Sequence, residues 1–142
     1  MDVAKPLLTV DGLAVHFPSP RTAFGPAPSP IRAVDGVSFT LARGRTLGLV
    51  GESGCGKSTT GYAILQLIRP TAGRVVFDGT DIAALPIKKL RPFRRRMQII
   101  FQDSAASLNP RMPVGDLITE ALDIHGLHRG AGRGLKIGRA HV

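Results

Sequence analysis

Gly51-Glu52-Ser53-Gly54-Cys55-Gly56-Lys57-Ser58 is the stretch on which the fold turns, because it fills every fixed position of G-x-x-x-x-G-K-[ST]. Glycines at 51, 54 and 56 let the backbone take positive φ and wrap its N–H groups around a phosphate with no Cβ in the way. Ser53, Cys55 and Thr59 add main-chain N–H groups to that cradle. Lys57 supplies a point charge for the β and γ oxygens of a nucleotide, and the Ser58 hydroxyl suits Mg²⁺. A helix starting near Lys57 turns its positive end toward the anion. Cys55 fills a variable position, so its expected contribution is its backbone N–H, with a redox role as the alternative.

The flanks fit a phosphate loop better than a glycine-rich structural turn with an incidental lysine. Thr46 to Val50 (TLGLV) is short and apolar, as a strand buried on both faces would be. Lys57 to Ile68 places Tyr62, Ile64, Leu65 and Ile68 at helical spacings, and Arg69-Pro70 and Gly73 end that helix. Upstream, Leu7 to Phe17 reads as a strand, a turn at Asp11-Gly12 and a second strand. The five prolines of Pro18 to Pro30 mark an insert loop. Ile31 to Leu41 reads as a half-buried strand. Arg74 to Phe77 with the Asp78-Gly79 turn predicts a strand and a tight reversal. Asp81 to Arg96 reads as loop and short helix interrupted by Pro86 and Pro92, Met97 to Phe101 as a buried strand, and Val114 to His125 as a helix.

Composition narrows the classes. At 142 residues and 43% hydrophobic the chain has the size and apolar content of one globular domain. No apolar run approaches the roughly 18 to 20 residues of a membrane span, and the acid and proline near Met1 do not suit a secretory leader. A single cysteine leaves no internal disulfide and fits a reducing compartment. The net charge of +9 gathers at Lys88, Lys89, Arg91 and Arg94 to Arg96, with Arg129, Arg133, Lys136 and Arg139 further on. That raises nucleic acid as a partner, against a solvated basic face or attraction to anionic lipid. One Tyr, no Trp and Phe held mostly in apolar runs provide few stacking platforms, so no nucleic-acid partner is expected.

Two further segments carry a family resemblance. Ala33-Val-Asp-Gly-Val-Ser-Phe-Thr-Leu, followed by Gly44-Arg-Thr-Leu-Gly-Leu-Val and the glycine loop, resembles the ATP-binding subunits of ABC transporters. Gln98-Ile-Ile-Phe-Gln-Asp-Ser-Ala-Ala-Ser-Leu-Asn-Pro-Arg-Met is similar to the Q-loop of oligopeptide and dipeptide importer ATPases, with Ser107-Leu-Asn-Pro-Arg as its specific part. The resemblance covers about residues 7 to 125. It implies an α/β P-loop NTPase fold: a parallel sheet around the phosphate loop, an antiparallel β layer from the N-terminal third, and the start of a helical subdomain at 114–135.

The same resemblance implies the chemistry. ATP and Mg²⁺ would be the cofactors, with Gln102 as the Q-loop glutamine at Mg²⁺ and the attacking-water region. Phe17 falls near the family's adenine-stacking aromatic, although an aromatic ending an amphipathic strand is equally a core residue and Phe24 is a second candidate. His16, His125 and His128 match no catalytic position. The implied partners are transmembrane permease subunits, a second ATP-binding subunit in a homo- or heterodimer, and indirectly a peptide-binding protein. The implied place is the cytoplasmic face of the inner membrane, and the implied work is ATP binding and hydrolysis that energise peptide import. An ABC-type ATPase acting on nucleic acid and a non-catalytic nucleotide-binding piece are the alternatives.

The signature motif, Walker B strand, D-loop and switch histidine that the family uses are not found in the chain. The chain is therefore expected to be the N-terminal part of such a subunit, over about residues 1–135, and to be neither a stable monomer nor able to turn over ATP alone. Ile137-Gly-Arg-Ala-His-Val reads like one frame of a sequencing adapter, so 136–142 are expected to be a non-native tail.

Overall fold

Strand β1, Leu8–Phe17, is an inner strand of a four-stranded antiparallel sheet of order β2-β1-β3-β4, in which β2 is Ile31–Leu41, β3 is Ala72–Phe77 and β4 is Thr80–Asp81. Residues 5–19, 29–103, 108–124 and 126 are described in the computed structural model, so Phe24, His125, His128 and the 136–142 tail lie outside the described residues, as do most of the proline insert and 104–107. The chain divides into two compact units, Met1–Met97 and Gln98–Val142.

β1 is one strand, not the expected strand, turn and strand. Val10 and Leu13 are three apart and would face opposite sides of a regular strand, yet both are buried. A register shift between Val10 and Leu13 against β2, and one between Asp11 and Ala14 against β3, mark a bulge at Asp11-Gly12, with Gly12 at φ 56. The bulge absorbs the extra residue, so Leu8 and Val10 before it and Leu13 and Val15 after it join one core. Gly73 lies so close that a Cβ there would be 2.4 Å from the Gly12 carbonyl oxygen. An Asp-Gly pair signals both turns and bulges, which is why the local reading failed.

β2, Ile31–Leu41, and β3, Ala72–Phe77, flank β1, and β3 folds back into the two-residue β4, Thr80–Asp81. Asp78 at φ 49 and Gly79 at φ 85 are both left-handed, as a primed hairpin turn requires. Leu13, Val15, Val10, Val75 and Ile82, each at most 2% exposed, form the centre of the core with Leu90 and Ala63. Helix α1, Lys57–Ile64, contributes Ala63 to it. α1 stops four residues before the expected Ile68. Gln66 takes φ 56, its N–H bonds the Ala63 carbonyl, and the Leu67 N–H reaches back to Tyr62, which is a Schellman ending built on a glutamine.

Helix α2, Ile87–Arg94, begins after Pro86 and contains Pro92. The Arg69 guanidinium donates to the carbonyls of Ala83 and Leu85 at 3.0 and 2.7 Å and pins the segment leading into it. Leu90 is buried, and Phe93 and Met97 pack on the core, with the Phe93 ring edge-on to Phe77 at 6.4 Å. Arg96 lies 5.0 Å from the centre of the Phe77 ring and donates to Asp78, which Arg43 also bridges.

The expected buried strands at Thr46–Val50 and Met97–Phe101 are absent: neither segment is in a strand. Leu47 and Leu49 are 48% exposed, Val50 94% and Ile100 91%, whereas Met97 packs on the core of the first unit. A parallel strand exists only through hydrogen bonds to neighbours, and among the described residues the single sheet is the antiparallel one. In the second unit, Asn109 Oδ1 accepts from the Arg111 N–H at 3.0 Å and the Asn109 carbonyl from the Met112 N–H, so Asn109-Pro110 is an exposed, ordered turn. Helix α3, Val114–Ile124, follows, with Val114, Ile118 and Ile124 exposed.

Candidate functional site: the glycine loop and its helix

The loop Gly51–Gly56 enters α1 through Gly56, which serves as N-cap in the left-handed region at φ 93. A Cβ at Gly56 would lie 2.1 Å from the Ala33 carbonyl oxygen of β2, so only glycine allows the loop to seat against the sheet. Gly54, at φ 82, has open space where a Cβ would go. Its glycine answers to backbone conformation alone.

The first turn of α1 is anchored from within. The Thr60 N–H bonds the Gly56 carbonyl at 2.8 Å, and the buried Thr60 hydroxyl donates to the same oxygen at 2.9 Å. No side chain caps the helix, and no acid lies in its first turn. Its leading N–H groups lack intrahelical partners by construction, and they carry the positive end of the helix dipole. Lys57 folds back over the loop: its ammonium donates to the carbonyls of Gly51, at 2.8 Å, and Glu52, and lies 3.5 Å from Cys55 Sγ. A cation inside a ring of backbone, an uncapped helix start and glycines held at positive φ at 54 and 56 together fit a phosphate group. Ser58 is exposed beside them, and Thr59 is half-buried. A hydroxyl in that place suits a hard cation such as Mg²⁺.

The structure thus brings Gly51, Ser53, Gly54, Cys55, Gly56, Lys57, Ser58 and Thr59 into one loop and helix start. Phe17 ends β1, is 37% exposed, and pairs with Ile31, two residues before the Ala33 against which Gly56 rests. Gln102 is exposed in the second unit, outside any helix or strand. Two features escaped sequence reasoning. No motif spacing announces Ala33 as the wall behind Gly56, because that contact depends on how β2 packs beside α1. Nor does any signal predict that Lys57 would take the loop's own carbonyls as acceptors.

Comparison with known proteins agrees with this geometry. The ABC transporter family profile matches residues 34–136. A Brucella ovis protein named for peptide import ATP binding is 51% identical over 122 residues, covering 86% of this chain and 36% of that protein. The Bacillus subtilis oligopeptide transport ATP-binding protein OppF is 50% identical over 126 residues, 88% of this chain and 39% of its own. The chain spans a little over a third of the length of these curated relatives. Among solved structures, the dimeric bacterial ABC transporter cassette MJ0796 matches with a TM-score of 0.69 at 25% identity, over 87% of this chain and 49% of that one. The same cassette in a post-hydrolysis state bound to ADP and Pi gives 0.67. A family match over most of the chain, joined to a complete glycine loop seated between an antiparallel β layer and α1, places the chain in the ABC transporter family with the P-loop ATPase cassette fold.

Proposed function

We propose that this chain carries the phosphate-binding part of an ATP-binding subunit that hydrolyses ATP to drive peptide import. The observation that carries the reading is the Gly51–Thr59 loop, with its left-handed Gly56 against Ala33, its uncapped helix start and the Lys57 ammonium inside it. Backbone N–H groups from Gly51 to Thr59 surround the β-phosphate. Lys57 exchanges carbonyl dipoles for phosphate oxygens, a gain because its ammonium then faces full negative charge. Ser58 would hold Mg²⁺, Gln102 would keep the Q-loop role that its motif implies, and Phe17 would stack on the adenine. When bound, Mg²⁺ neutralises charge on the β and γ oxygens.

The peptide-import part of the reading draws support from relatives named for that activity and from the Ser107-Leu-Asn-Pro-Arg segment. In it the second unit, from Gln102 through the Asn109-Pro110 turn, faces a permease subunit. A second ATP-binding subunit completes the enzyme at the cytoplasmic side of the membrane, and the α3 region begins a helical subdomain. The test is ATP binding by titration calorimetry. Lys57→Ala removes a charged hydrogen-bonding group worth about 1.5 to 3 kcal/mol, so affinity falls about ten- to a hundredfold. Equal affinity in parent and variant rules the placement out.

A further inference from the structure

We propose that the outward face of α2 is a docking surface for anionic phospholipid headgroups, through which this chain touches a bilayer directly. The proposal needs no permease and no nucleotide, so it stands apart from the transport reading.

The helix has two faces of opposite character. Leu90 is 2% exposed and Phe93 and Met97 lie on the core, at spacings of three and four, so these residues fix which way the helix faces. Ile87, Lys88, Arg91, Arg94 and Arg95 are all exposed. Between Ile82 and Gln102 the chain carries six Lys and Arg residues and no Asp or Glu. Of these, Arg96 is turned inward to Asp78. Ile87, Lys88, Arg91 and Arg94 line a surface depression of about 610 Å³. Arg69 and the Phe93–Phe77 contact hold the helix in this pose.

Lys88, Arg91 and Arg95 bring three cations to this face from a segment that holds no Asp or Glu, so its complement is a surface dense in phosphate. Ile87 decides between a bilayer and a nucleic acid. It is 65% exposed among the cations, at the first position of α2. An apolar side chain between long cationic stems matches the headgroup and acyl boundary, where Lys and Arg reach up to phosphates and the branched chain sinks in. A phosphodiester backbone gives that isoleucine nothing, and no aromatic ring lies on this face to stack on bases.

The experiment is flotation of the full chain with vesicles of phosphatidylcholine alone and with phosphatidylglycerol added, beside a duplex DNA titration. Binding is expected only to the phosphatidylglycerol vesicles and is expected to weaken as salt rises. Each cation near an anionic surface changes partitioning about fivefold, so the triple variant Lys88→Gln, Arg91→Gln, Arg95→Gln should bind on the order of a hundredfold less. The charge-preserving pair Lys88→Arg, Arg91→Lys should bind like the parent, and Arg45→Gln with Arg111→Gln, which lowers net charge elsewhere, should lose much less than the triple. Retained ATP binding by the triple variant shows that it is folded; if it has lost ATP binding, the single variants Ile87→Ser and Arg91→Gln decide, each expected to weaken vesicle binding. Equal binding to neutral vesicles, equal loss in the Arg45 and Arg111 control, or DNA binding without vesicle binding overturns the proposal.

Discussion

Two apolar stretches of the first unit, Leu7 to Val15 and Thr46 to Val50, have opposite fates. Leu13 is wholly buried, while Leu47 and Leu49 are half exposed and Val50 almost entirely so. Both are built mainly from Leu and Val, with Thr and Gly. What separates them is access to neighbours: β1 is hydrogen-bonded by β2 on one side and β3 on the other, and Thr46–Val50 has no place in that sheet. Apolar content favours burial, but a strand is buried only where its backbone groups are also paired.

The largest expected effect sharpens this contrast. Leu13→Ala should lower unfolding free energy by about 2 to 5 kcal/mol in a urea titration, as a large-to-small change in a packed core does. Val50→Ala should stay within about 0.5 kcal/mol, as exposed positions do. Matching losses would mean that Thr46–Val50 is packed in solution, and the comparison would break.

Within the loop the same logic separates two glycines. At Gly54 an alanine meets open space, so Gly54→Ala should cost about 1 to 2 kcal/mol, the left-handed backbone penalty. Gly56→Ala carries that penalty plus a collision with the Ala33 carbonyl, and should remove nucleotide binding as well as lower the melting temperature further. If the two variants bind ATP alike, the seat against β2 is not what shapes the loop.

The smallest effect is a pH dependence. The Arg96 hydrogen bond, reinforced by Arg43, holds the Asp78 carboxyl below its usual value of 3.8. A carboxyl lowered in the folded state contributes stability that is present above 3.8 and is lost as pH falls from there through the folded value. Asp78→Asn, which also tolerates the left-handed φ at this position, should flatten that acid limb in melts recorded across pH. An unchanged limb would assign it to other carboxylates.

What was legible from residues alone divides along the same line. The hairpin at Asp78-Gly79 and the start of α1 depend on chemistry within a few residues, and both lie where they were expected. The glycine loop was legible because a phosphate cradle demands fixed residue types at fixed spacing. Thr46–Val50 and Met97–Phe101 were misread because pairing of parallel strands is decided far along the chain. The bulge in β1 was misread as a turn because Asp11-Gly12 is compatible with both, and only Gly73 and Ser38 beside it decide. Ser38 Oγ accepts the Gly12 N–H at 2.8 Å, a contact across two strands. The charge of α2 was legible, but its direction was not, since that follows from Leu90, Phe93 and Met97 packing on the core.

The loop Gly51–Gly56 is supported unequally at its two ends. On one side it is built into α1 and braced on Ala33, and on the other it continues into Thr46–Val50, which no sheet holds. A ligand that closes on the loop must therefore also restrict residues that the fold leaves unpaired, at roughly 1 to 2 kcal/mol of backbone entropy each. Any neighbour that zippers onto Thr46–Val50 removes part of that cost beforehand. It would raise nucleotide affinity without touching a phosphate, and by reciprocity a bound nucleotide would strengthen the segment's grip on that neighbour by the same factor.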